Sequence, residues 1–194
     1  MQRYSPDKQS GLYFSKRKRE NAGRKKMKAY ERLLKYVTVW TTSDEDSTTV
    51  PTTKRQLDLG NLLVEEMKEM GLSDVSMDEY GYVYGYLPAT EGMEDVAPLG
   101  LIAHLDTAPD FNGQNVKPQI IPDYNGEDVV LGTSGRVLAV KDFPRLKGYK
   151  GRTLITTDGT SLLGADDKAG IAEILTAAEE LMREKTPHGK ICIA

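Results

Sequence analysis

The chain has 194 residues, one cysteine and a formal net charge of −3, with 39% hydrophobic and 28% charged residues. Those figures suit one globular domain, or one with a tail, and exclude a disulfide framework. The longest apolar or small run, Ala97 to Ala103, is far too short to span a bilayer, and no secretory signal pattern opens the sequence.

Residues 1–26 carry nine Lys/Arg against two acids, +7, whereas residues 27–194 carry seventeen against twenty-seven, −10. The first segment has no helical or strand period and reads as a basic, disordered extension, or as sequence ahead of a true start at Met27. A solvated basic arm for nucleic acid or anionic membrane is the alternative. The acidic remainder argues against nucleic acid as the main partner, so neither nucleic acid nor membrane is expected.

From Met27 a helical period begins: Tyr30, Leu33, Leu34 and Val37 fall at i, i+3, i+4 and i+7. A turn-rich stretch follows (41–53), in which Thr52 or Thr53 can cap a second helix. That helix has the stripe Leu59, Leu62, Leu63, Met67, Met70, and Gly71 stops it. Val75–Met77 and Tyr82–Leu87 read as two strands around a turn at Glu79-Tyr80-Gly81, with Tyr82, Tyr84 and Tyr86 half-buried on one face. The run 98–105 (PLGLIAHL) reads as a buried central strand. A long Gly/Pro/Asn-rich segment, 107–152, contains one plausible strand at Arg136–Val140; such a segment is often functional. Leu154–Thr157 is a strand, Lys168–Arg183 a helix presenting Ile171, Ile174, Leu175, Ala178 and Met182, and Lys190–Ala194 another strand. The last three elements read as a βαβ unit. The expected class is α/β, a mixed, largely parallel sheet flanked by helices.

No Walker loop, GxGxxG or GxSxG is present. Cys192 reads as a core residue and His188 as part of a turn. Two sites remain. His104 and Asp106, two apart at the carboxyl end of the 98–105 strand, project the same way from the end of a sheet at which ligands bind. Imidazole is a common zinc ligand and a carboxylate often fixes its tautomer; a chance structural pair is the alternative. Asp166 and Asp167, in Gly164-Ala165-Asp166-Asp167-Lys168, precede the long helix. They suit simple capping, or a carboxylate bridging two metal ions as in two-metal hydrolases.

The segments HLDTAPDFNGQNVKPQI (104–120) and LITTDGTSLLGADDKAGIAEI (154–174) resemble the peptidase T family of tripeptide aminopeptidases, a branch of the co-catalytic zinc peptidases related to carboxypeptidase G2. The openings at 27–53 and 78–90 are similar to that family too, so the likeness covers Met27 to Ala194. The resemblance implies a zinc-dependent aminopeptidase that releases the N-terminal residue of tripeptides by attack of water held between two Zn2+ ions, in the cytoplasm. It implies His104 as ligand to one zinc, Asp106 as the acid orienting that imidazole, and Asp166 as the carboxylate bridging both metals, with Asp167 unassigned. It further implies that 27–194 is the N-terminal portion of the catalytic domain. The family's general-base glutamate, further ligands and lid domain are not among these residues, and the chain alone is expected to be inactive. A dipeptidase or N-acyl amino acid hydrolase of the same dizinc group is the alternative. Oligomeric state and metal identity in the cell stay open.

Overall fold

A computed structural model describes residues 26–194, so the basic segment 1–26 lies, but for Lys26, outside the described residues. The first helix, α1 (Ala29–Tyr36), starts where Glu31 folds back to accept the Lys28 backbone N–H at 2.8 Å. Its buried face differs from the apolar period. Tyr30 is 44% exposed, whereas Arg32 and Tyr36 are fully buried. The reason is pairing: the Arg32 guanidinium donates to Glu66 at 2.9 Å, to Glu179 at 2.9 Å and to the Thr176 hydroxyl at 2.9 Å. A charge satisfied on three sides can lie where a lone one cannot.

Glu66 belongs to α2 (Gln56–Met70), and Thr176 and Glu179 to α3 (Ala165–Glu184). One arginine therefore joins the three helices. Helix α2 carries the expected stripe inward, with Leu59, Leu63, Met67 and Met70 buried. Gly71 ends it in the left-handed region (φ 94°), which lets the Leu72 N–H reach the Met67 carbonyl at 3.1 Å. Neither threonine caps its start by a side-chain bond. The Thr53 hydroxyl donates instead to the Thr42 carbonyl at 2.9 Å and ties the preceding loop inward.

Strands β1 (Ser73–Met77) and β2 (Val83–Leu87) form the expected antiparallel hairpin. Its turn is held by the Asp78 carboxylate, which accepts from the Tyr80 and Tyr82 N–H groups. They enter a four-stranded sheet ordered β1-β2-β8-β3, where β3 is Leu99–Leu101 and β8 is Ile191–Ile193. The sheet is mixed and flanked by helices, as the α/β reading expects. Its parallel character is confined to the β3–β8 pairing; the other two pairings are antiparallel.

Two expectations are corrected here. The run 98–105 is not a buried central strand: β3 lies at the sheet edge, with Leu99 54% and Ile102 82% exposed. The expected unit of strand, α3 and β8 does not form either. The preceding strand, β7 (Leu154–Thr157), pairs antiparallel with β4 (Pro118–Ile121), outside the main sheet. Local apolar runs identify strands but not their partners, which is why both readings failed. The 107–152 segment also has structure of its own. It contains β4, the short pair β5 (Val129–Val130) and β6 (Val137–Leu138), and a 3₁₀ helix, Pro144–Tyr149, around a small core of Tyr124, Val129 and Leu146.

The main core sits between the helices and one face of the four-stranded sheet. Tyr36 of α1, Leu59, Leu63 and Met67 of α2, Leu175 and Ala178 of α3, and Ile191 and Ile193 of β8 pack together there. Cys192, on the alternate face of β8, is half-buried.

Candidate metal centre

The chain leaves β3 and reaches His104 three residues later. The His104 imidazole is about half exposed. Its Nδ1 lies 3.0 Å from the Asp106 carbonyl and 3.1 Å from Asp106 Oδ1. Its Nε2 lies 3.0 Å from Asp166 Oδ1, sixty-two residues further along the chain. The three residues singled out from the sequence thus meet, in the order carboxylate, imidazole, carboxylate. Partial burial works against the charged imidazole. The bond to Asp166 and the charge and carbonyl of Asp106 outweigh it, and His104 is held above the ordinary histidine value.

Asp166 sits at the entry of α3. Regular helical backbone starts after Asp167: Asp166 (φ −91°, ψ 108°) and Asp167 (φ −116°, ψ 31°) are non-helical, and the peptide joining them is cis. The two acids make different contacts. The Asp167 carboxylate accepts the Gly170 N–H at 3.2 Å, a capping bond. Asp166 does not cap; its side chain is 95% exposed and faces His104.

Sequence reasoning missed how the two halves are brought together. The segment 39–43 clamps both. On the β3 side, Thr107 is buried and forms a parallel bridge with Thr42: its N–H reaches the Thr41 carbonyl at 3.2 Å and its carbonyl accepts the Ser43 N–H at 3.0 Å. On the α3 side, the buried Lys168 Nζ donates to the Val39 carbonyl at 2.7 Å, and burial lowers its pKa to about 8. Gly164 completes the approach. It is left-handed (φ 74°), and a Cβ there would stand 3.0 Å from the Thr107 methyl. Gly164→Ala should therefore cost about 1–2 kcal/mol from backbone conformation alone, with some further loss from contact with Thr107. Urea unfolding followed by circular dichroism checks this; an unchanged midpoint would count against the clamp. The Thr42–Thr107 bridge joins residues sixty-five apart, and no local pattern signals it.

Among the described residues, no group of three or more His, Cys, Asp or Glu side chains is gathered to hold a metal ion. His104 Nε2 and Asp166 Oδ1 offer two adjacent donors, both accessible. Asp106 faces the other ring nitrogen, where it can accept the Nδ1 proton and leave the Nε2 lone pair free. That donor chemistry fits one edge of a zinc site.

No family model matches the chain. It is 57% identical over 165 residues to peptidase T of Clostridium acetobutylicum, covering 84% of this chain and 40% of that protein. It is 54% identical over 169 residues to peptidase T of Halothermothrix orenii, covering 86% of this chain and 41% of that protein. Its backbone matches the crystal structure of the aminopeptidase PepT of Bacillus cereus with a TM-score of 0.56 at 21% identity, over 87% of this chain and 35% of that one. A tripeptidase of Staphylococcus aureus gives 0.54 at 22% identity, over 87% and 35%. The two structures bear on fold alone, and their fold agrees. By sequence, the chain is a homologue of peptidase T, and it spans about two fifths of the length of these relatives.

Proposed function

We propose that this chain supplies the His104–Asp106–Asp166 portion of a zinc-dependent tripeptide aminopeptidase. The observation that carries the reading is the 3.0 Å approach of His104 Nε2 to Asp166 Oδ1 while Asp106 occupies Nδ1. Similarity to peptidase T supports a peptide substrate, and a tripeptide is the class taken in this reading. The lone cysteine suits a reducing compartment, and a cytoplasmic location is part of the proposal.

In this reading His104 and Asp166 would hold metal, and Asp106 would act on His104. Zinc, when bound, supplies Lewis-acid polarisation of a peptide carbonyl and activation of water. Asp106 keeps the imidazole in one tautomer and one orientation, so that Nε2 stays a lone-pair donor. Asp166, with no capping bond to hold it and most of its carboxylate open, would offer its oxygens to metal in place of the bond to His104. His104 must be neutral to act as ligand. Because its pKa is raised, apparent zinc affinity should fall as pH drops through a value above the ordinary histidine one.

Titration of the purified chain with zinc against a chromophoric chelator tests the reading. Asp106→Asn should weaken zinc binding about 10–100-fold by loosening the imidazole. His104→Ala and Asp166→Asn should weaken it at least as far. Equal affinity in all four proteins would sink the assignment.

A further inference from the structure

We propose that Lys168 is a positioning residue for the candidate metal centre: its buried ammonium, seated on the Val39 carbonyl, sets where Asp166 stands against His104. The inference rests on the zinc reading of that pair and adds a residue to it.

The first observation is that helix geometry does not place Asp166. Asp166 and Asp167 have non-helical backbone, and regular helix starts at Lys168. Among the described residues, His104 is the hydrogen-bond partner of the Asp166 side chain. The place of Asp166 must therefore come from its neighbours along the chain. Before it, Gly164 lies against the Thr107 methyl. After it, Lys168 Nζ donates to the Val39 carbonyl at 2.7 Å. The ammonium is tucked under the same turn, 3.8 Å from where a Gly164 Cβ would stand.

The second observation is that these contacts close a ring. From Lys168 the path crosses to Val39 and follows the chain to Thr41 and Ser43. Two backbone bonds, 3.2 and 3.0 Å, carry it to Thr107, three residues past His104. His104 then meets Asp166 at 3.0 Å, two residues before Lys168. In that ring Lys168 is the side chain that ties α3 to segment 39–43. Without its bond, the packing of Gly164 on Thr107 is left to hold the two halves of the site in place.

The third observation is the chemistry of the residue. Lys168 is 2% exposed. No carboxylate pairs with it among the described residues, and burial is the one influence on its pKa, downward. An uncharged chain of the same length would fill the same space and escape the desolvation cost. A charge-assisted bond is short and directional, so it supplies placement where it does not supply net stability. A cation kept buried at a cost, on the turn that carries Asp166, breaks the rule for a scaffold and suits a site.

Lys168→Met tests this. Its urea midpoint should equal or exceed that of the parent, while zinc affinity falls about 10–100-fold, as for loss of a group that orients a ligand. A second readout needs no metal. Carbethoxylation by diethyl pyrocarbonate, followed by peptide mass spectrometry, reports on both histidines of the chain, His104 and His188. Released from Asp166, His104 should react faster in the variant, with His188 unchanged as internal reference. Rescue completes the test. Lys168→Cys, in a chain with Cys192→Ser, is alkylated with bromoethylamine while unfolded and then refolded. The restored ammonium should return zinc affinity and His104 reactivity to parental values, and ethylation of the same cysteine should not. A urea midpoint that falls in Lys168→Met, or a variant that does not fold, assigns the lysine to holding the scaffold and overturns the proposal. Parental His104 reactivity in Lys168→Met overturns it too, as does an aminoethylated protein that behaves like the ethylated one. A parent chain that binds no zinc sinks the zinc reading and leaves His104 reactivity to judge the positioning role.

Discussion

Replacing Arg32 with alanine is expected to destabilise the fold by about 3–5 kcal/mol, the range for removing one partner of a buried ion pair. Arg32 is fully buried, and its guanidinium serves two carboxylates on two helices, Glu66 of α2 and Glu179 of α3. Truncation leaves Glu66, itself 2% exposed, with Lys35 at 2.7 Å as its remaining cationic partner. Most of the loss is the desolvation of a carboxylate that has lost half its compensation. The pH dependence follows from Glu66. Burial raises its pKa, but the bonds from Lys35 and Arg32 outweigh burial and hold it below the ordinary value. A depressed carboxyl contributes stability that is present above the unfolded value, about 4.3 for glutamate. That contribution is lost as pH falls through the lower folded value. The difference between parent and Arg32→Ala should thus be full near neutrality and shrink in acid. Urea unfolding at pH 7 and in strong acid reads both. A penalty that does not change with pH would assign the loss to packing of the arginine stem and not to its charge.

Arg32 also marks a limit of sequence reading. The spacing of Tyr30, Leu33, Leu34 and Val37 located α1 but placed an exposed tyrosine inward. A 3.6-residue period scores apolar residues and ignores a charge whose partners lie 34 and 147 positions away. Where burial follows apolar pattern, the reading was close: α2 and α3 turn the expected stripes inward and Gly71 ends α2. Strand positions were legible from apolar runs and turn residues, but strand partners were not. The sequence around β7 says it is a strand; only the fold pairs it with β4 and leaves β8 between β2 and β3. At the candidate site, His104 and Asp106 were legible because they lie two apart, although the structure places them just past β3 and not on the strand itself. Asp166 was legible as a carboxylate at a helix start, with capping as an equal alternative. Its bond to His104, and the hold of residues 39–43 on both Thr107 and Lys168, depend on chain closure over more than sixty residues and leave no local mark.

Leu175→Ala is expected to cost about 2–5 kcal/mol, the range for emptying a leucine site in a core that relaxes only in part. Leu175 is 1% exposed and lies among residues of all three helices and of β2 and β8. The upper part of the range is favoured by its surroundings. Collapse onto the vacated volume would have to move α3, and α3 is fixed at one end by Lys168 on the Val39 carbonyl and along its length by Glu179 on Arg32. A helix tied at both places cannot slide inward to fill the gap. The comparison that tests this is Leu146→Ala, in the small core of Tyr124, Val129 and Leu146. That cluster is bounded by short strand pairs and a 3₁₀ helix, which can close over a void. It should lose less, and its loss should be read as faster hydrogen exchange of the paired Tyr124 and Gly151 amides, with little change in the main transition. Equal losses from the two leucines, both in the main transition, would mean that the two cores unfold as one unit and that the ties on α3 do not control relaxation.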